Sequence, residues 1–124
     1  MISIQNIVKG FSGRSVIESV TAEFDTGKCN LIIGASGSGK TVLMKCLVGL
    51  LIPDAGEISY DGLNFSQMNT DEKKEMRRKI GMLFQGSALF DSMTVEQNIM
   101  FPLDMFSTKT KAEKQKRVDE VLDR

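Results

Sequence analysis

Four residues in the first third of the chain have types and spacing that suit one chemistry. Gly34, Gly39, Lys40 and Thr41 fit the pattern G-x-x-x-x-G-K-[ST], within the run Leu31-Ile32-Ile33-Gly34-Ala35-Ser36-Gly37-Ser38-Gly39-Lys40-Thr41. That pattern binds phosphate. A polyphosphate needs many donors close together, and the small residues Gly34, Ser36, Gly37, Ser38 and Gly39 let backbone N–H groups curl around it. A helix starting here adds unpaired N–H groups and the positive end of its dipole. Lys40 supplies a point charge for the outer phosphates, and the Thr41 hydroxyl is placed to ligate Mg²⁺.

The alternative is a plain Gly/Ser turn, and the surrounding elements decide against it. Leu31 to Ile33 read as a buried strand. Thr41 to Val48 read as an apolar helix opening, with Gly49 near its end. Strand, loop and helix are the context in which the motif carries meaning.

The 124 residues allow one domain of ordinary size. A hydrophobic fraction of 41% and a charged fraction of 26% belong to a globular protein. Sixteen basic residues balance 16 acidic ones, so the charge suggests no nucleic-acid partner. No apolar stretch approaches the ~20 residues of a membrane helix, and the N-terminus lacks the layout of a signal peptide. Cys29 and Cys46 have no zinc-like spacing and read as buried free thiols, which suits a reducing cytosol. The chain has no histidine, which excludes imidazole catalysis and His-ligated metals. The eight methionines read mostly as core filling.

Residues 2–8 and 16–24 alternate loosely and predict two antiparallel strands around a turn at Phe11-Ser12-Gly13-Arg14. Asp25-Thr26-Gly27-Lys28 is a second turn. Pro53-Asp54-Ala55-Gly56 breaks the chain after the first helix. Glu57 to Tyr60 is a short strand, followed by an Asp61-Gly62 turn. Asn69 with Glu72 caps a charged helix through about Arg78. The mixed signs of residues 71–79 mark a solvated face rather than a binding patch. Ile80 to Phe84 read as a buried strand. Thr94 with Gln97 and Thr110 with Glu113 are capping-box patterns. The second opens a helix expected to run from Lys111 to Arg124, with Val118, Val121 and Leu122 as a narrow apolar stripe.

Beyond the loop, the segment Ile80-Gly81-Met82-Leu83-Phe84-Gln85-Gly86-Ser87-Ala88-Leu89-Phe90, then Met93-Thr94-Val95 and Asn98-Ile99-Met100-Phe101-Pro102-Leu103, resembles the Q-loop region of ABC-transporter ATPase subunits. Gly56-Glu57-Ile58 with Asp61-Gly62 resembles the hairpin after that family's first core helix. The resemblance covers essentially the whole chain, with three separated motifs in order. It implies an α/β P-loop NTPase fold of the ABC ATPase type: a partial RecA-like core with an antiparallel β-subdomain over residues 1–85, then the start of the helical subdomain over residues 86–124. The Leu-Phe-Gln, Ala-Leu-Phe and Phe-Pro-Leu elements resemble the ATPases of Mla-type and Mce-associated lipid transporters of bacterial envelopes. Another ABC importer or exporter, or a non-transport ABC-type ATPase, is the alternative.

The resemblance also implies roles. ATP and Mg²⁺ are the expected cofactors. Phe11 stacks on adenine, or else plugs the small β-subdomain. Gly34 and Ser36 to Thr41 cradle the phosphates. Gln85 meets Mg²⁺ or the attacking water. Ala88, Leu89 and Phe90 lie near the groove for a permease helix and also anchor the helical subdomain. Val42 stands where many relatives carry a second hydroxyl. The implied partners are a membrane permease subunit and a second ATPase subunit in a homodimer, with no nucleic acid. The implied location is peripheral, at the cytoplasmic face of the inner membrane.

Three family elements are missing from the sequence: a Leu-Ser-Gly-Gly-Gln signature, an apolar strand ending in Asp-Glu, and a switch histidine. The chain therefore reads as the N-terminal half of a longer ATPase, expected to bind nucleotide at most. Strands from the remaining half would separate those before the loop and before Gln85. Without them, unpaired edges are expected. A GTPase would carry an Asn-Lys-x-Asp guanine reader, which is absent, and Arg77-Arg78 is a poor candidate for a kinase lid.

Overall fold

A computed structural model describes residues 1–86 and 88–124, so Ser87 of the Q-loop-like segment lies outside the described residues. The chain divides into two compact units, residues 1–81 and 82–124, each described separately.

The first unit is built on a hairpin. Strands β1 (Ile2–Phe11) and β2 (Arg14–Phe24) pair antiparallel, and β3 (Ala55–Tyr60) pairs with the other edge of β1. A two-residue β4 (Leu63–Asn64) completes a sheet of order β2-β1-β3-β4. The core-facing residues of β1 do not alternate strictly. Ile4 and Ile7 are both buried although three residues apart. Asn6, with φ of 50°, sits at a register shift between them, and Ser19, with φ of 52°, sits in the facing strand. Each extra residue returns the next apolar side chain to the inner face.

Helix α1 (Lys40–Leu47) lays Leu43, Cys46 and Leu47 on that face. Their i, i+3, i+4 spacing makes one helical stripe. They join Ile4, Ile7, Ile17, Ile58, Tyr60 and Phe65 in one core. Each fully buried aliphatic side chain contributes about 1.5–3 kcal/mol. Helix α2 (Thr70–Arg78) begins with the expected reciprocal cap: Asn69 Oδ1 accepts from Glu72 N–H, and Glu72 Oε2 accepts from Asn69 N–H, both at 2.9 Å. Arg77 reaches back to donate to the Gly49 carbonyl beyond α1.

Tyr60 is buried edge-on against Phe65, with ring centroids 5.6 Å apart. Burial pushes its phenol up to about 12. It is the single tyrosine, so the phenolate absorbance reads this one group. In the folded chain that absorbance should rise only near pH 12, and in denaturant at the ordinary tyrosine value. Since the charged form is disfavoured in the fold, stability should decline as pH climbs between those two points. A folded chain titrating at the ordinary value would contradict this packing.

The second unit holds α3 (Val95–Phe106) and α4 (Lys111–Leu122). Thr94 and Gln97 form a full capping box before α3. At α4 only half of that pattern forms. Thr110 Oγ1 accepts from Glu113 N–H, but Glu113 Oε1 takes the Thr110 hydroxyl rather than its backbone N–H. A Lys114–Asp104 ion pair of 3.0 Å joins the two helices.

Several expectations need correction. Leu31–Ile33 and Ile80–Phe84 are not strands. Leu31 and Ile33 are 81% and 86% exposed, and Leu83 is 89% exposed. A strand exists only through a hydrogen-bonded neighbour, and no described strand runs beside either segment. Cys46 is buried, which pushes its thiol up, but Cys29 is exposed in the loop after β2. Helix α4 ends at Leu122, and of its stripe only Val118 is buried. None of the methionines is fully buried. Among the described residues, no helix is long and apolar enough to cross a membrane.

Candidate functional site

The loop from Gly34 to Gly39 leads into α1. Ser38 N–H turns back to the Ala35 carbonyl at 3.1 Å, and Leu43 N–H takes the Gly39 carbonyl at 2.9 Å. Gly39 is the N-cap, with φ of 98°, and no side chain caps the helix. The first N–H groups of α1 therefore face outward without an internal acceptor. No acidic residue lies in the first turn, which leaves the positive helix end unopposed.

Side chains at the glycines would spoil this shape. A Cβ on Gly34 would lie 2.5 Å from Ser38 Oγ. On Gly39 it would lie 3.1 Å from Val16 Cγ1, in a backbone region that side chains rarely enter. The same contact places the β1–β2 hairpin against the loop. Lys40 folds over the turn, its Nζ donating to the carbonyls of Gly34 at 2.6 Å and Ala35 at 2.7 Å. Thr41 is exposed in the first helical turn. A cavity of about 390 Å³ borders the loop, walled by Val16, Ile33, Gly34, Ser38, Lys40 and Leu43. Backbone donors, a helix end, an ammonium and a hydroxyl meet at one place. This is a donor set that fits an anionic chain with its cation.

Phe11 ends β1 and is 45% exposed, with Lys9 Nζ 5.3 Å from its ring centroid. The structure thus collects the loop residues and the Phe11 hairpin in the first unit. Gln85 belongs to the second, where it is exposed in a turn with Gly86. The segment after it is held by a residue that the sequence reading did not single out. Asn98 Oδ1 accepts from Phe90 N–H at 2.8 Å, and its Nδ2 donates to the carbonyls of Phe90, Met93 and Thr94. Phe90 packs edge-on against Phe101 at 4.8 Å. Ala88 has a φ of 51° and donates to the Gly86 carbonyl. An asparagine four residues into a capped helix looks like ordinary surface in a sequence, so only the fold shows its four bonds.

The family description "ABC transporter" matches residues 17–124. The chain belongs to the ABC transporter family. The methionine import ATP-binding protein MetN of Desulfitobacterium hafniense is 39% identical over 126 residues, covering 98% of this chain and 37% of that protein. The intermembrane phospholipid transport system ATP-binding protein MlaF of Haemophilus influenzae is 35% identical over 103 residues, covering 83% and 39%. The dimeric structure of MJ0796, a bacterial ABC transporter cassette, superposes with a TM-score of 0.88 at 28% identity, over 99% of this chain and 56% of that one. The fold is accordingly α/β, a partial P-loop NTPase of the ABC ATPase type with an antiparallel sheet. The chain spans a little over a third of the length of these curated ABC relatives.

Proposed function

We propose that this chain is the ATP-binding part of an ABC transporter subunit that couples ATP binding and hydrolysis to transport, with lipid as the cargo. The observation that carries the nucleotide reading is the uncapped N-terminus of α1, wrapped by the Gly34–Gly39 turn and topped by Lys40. In this reading Gly34 and Ser36 to Gly39 hold the phosphates through backbone N–H groups. Lys40 exchanges its loop carbonyls for phosphate oxygens. Thr41 takes Mg²⁺, which would supply charge neutralisation when bound, and Gln85 keeps the role that the family resemblance gives it, meeting Mg²⁺ or the attacking water. Phe11 stacks on adenine.

Ala88, Leu89 and Phe90, steadied by Asn98, receive a helix from a membrane permease. A second ATPase subunit closes on the nucleotide from the other side, and the assembly works at the cytoplasmic face of the inner membrane. We divide the chain functionally at Gln85, into a nucleotide-binding portion (1–85) and the start of a helical portion (86–124). The lipid reading is supported by the Leu83-Phe84-Gln85, Ala88-Leu89-Phe90 and Phe101-Pro102-Leu103 elements and by the MlaF relative. The MetN relative favours a second reading, import of a small polar solute.

Titration of the chain with ATP and GTP in the presence and absence of Mg²⁺ tests the nucleotide reading. Binding should favour ATP and require Mg²⁺ for full affinity. Equal binding of both nucleotides, or none by a folded chain, defeats it.

A further inference from the structure

We propose that Asp54 and Lys9 are positioning residues that fix the ring of Phe11 for the base of a bound nucleotide. The inference rests on reading Phe11 as the base-stacking residue. Asp54 lies in the connection between α1 and β3 and grips three successive residues of β1. Its N–H donates to the Val8 carbonyl at 2.7 Å. Its carboxylate accepts from Lys9 Nζ at 3.3 Å and from Gly10 N–H at 2.8 Å. Phe11 is the next residue. The Lys9 side chain is only 15% exposed, its ammonium held between the Asp54 carboxylate and the Phe11 ring.

This arrangement does two things. A cation over one face of an aromatic ring is attracted by its quadrupole, so that face is taken and the ring is held. The exposed part of Phe11 is left to a flat partner. A ring ordered in advance loses less freedom when a base stacks on it. Asp54 also follows α1, whose first turn carries Lys40 and Thr41.

The Gly10 N–H, and then Lys9, hold the Asp54 carboxyl below the usual carboxylate range. The clamp is therefore complete at neutral pH and is released only as pH falls through that lowered value. In the sequence Pro53-Asp54-Ala55-Gly56 reads as a chain break, because the contacts of Asp54 lie more than forty residues back along the chain.

The test compares Mg²⁺-ATP with Mg²⁺-tripolyphosphate, which has the phosphates and no base. Calorimetric titrations use the full chain and its Phe11→Ala, Asp54→Asn and Lys9→Met variants. Asp54→Asn keeps an acceptor for Gly10 while removing the charge. Phe11→Ala should weaken ATP about tenfold, as loss of one base–aromatic stack does. Asp54→Asn and Lys9→Met should each weaken ATP about three- to tenfold, as loss of a charge-assisted contact does. Tripolyphosphate should bind all variants within about twofold of the parent, since the phosphate loop is untouched. In the Phe11→Ala background, Asp54→Asn should add nothing. An Asp54→Asn effect on both ligands alike, or on neither while Phe11→Ala still weakens ATP, overturns the proposal alone. No effect of Phe11→Ala on ATP removes the stacking reading and the proposal together.

Discussion

Lys40→Ala is expected to reduce ATP affinity by about two to three orders of magnitude while leaving the melting transition in place. The size follows from the contacts at stake. A hydrogen bond to a charged group contributes about 1.5–3 kcal/mol, and an ammonium over a polyphosphate makes more than one. The fold is spared because the hydrogen bonds of the Lys40 ammonium stay within the loop. Its Nζ donates to the Gly34 and Ala35 carbonyls, which are exposed and can take water instead. Unlike the Phe11 and Asp54 variants, this one should weaken ATP and tripolyphosphate equally. Titration of both ligands, with a thermal melt as control, checks it. Unchanged binding would mean that the loop does not hold phosphate, whatever its spacing suggests.

The second large effect concerns stability. Gly56→Ala is expected to cost about 3–5 kcal/mol, combining backbone strain with a clash. Gly56 has a φ of 94°, and a Cβ there would come within 2.5 Å of the Gln5 carbonyl oxygen, with the Asn6 carbonyl at least as close. Both obstacles are backbone in the middle of β1, so no side chain can swing aside. Relief would require parting β1 from β3, and that pairing holds Ile4 against Ile58. For a unit of this size the midpoint should fall by more than about 10 °C. Gly81→Ala is the matched control, since a Cβ there meets nothing within 4 Å. A Gly56→Ala melt that coincides with the control would show that β1 and β3 are not paired in this register.

Much of this was legible in the residues. The hairpin, α1 and the Asn69 cap are specified locally, by alternation, small turn residues and an Asx–Glu pair. The turn ahead of α1 is legible for the same reason, since its shape is set by small residues over consecutive positions. The failures share an opposite cause. Leu31–Ile33 and Ile80–Phe84 have strand-like composition, but a strand depends on a neighbour, and composition does not reveal whether one is present. Cys29 reads as buried from its apolar surroundings, yet it is exposed, as are Leu31 and Ile33. The contacts of Asp54 and Asn98 are not legible because each acts at a distance or across a turn, where spacing carries no signal.

The extra residue at Asn6 has a consequence for how this hairpin can vary. Deleting it would straighten β1 without turning any later side chain over, because Ile7 would then follow Ile4 by two positions on the same face. Losing a paired residue beyond the bulge, such as Val8 opposite Ala55, would instead carry Lys9 and Phe11 to the reverse side of the sheet. The hairpin can thus absorb a one-codon deletion at Asn6, while the same deletion two codons later would dismantle the site.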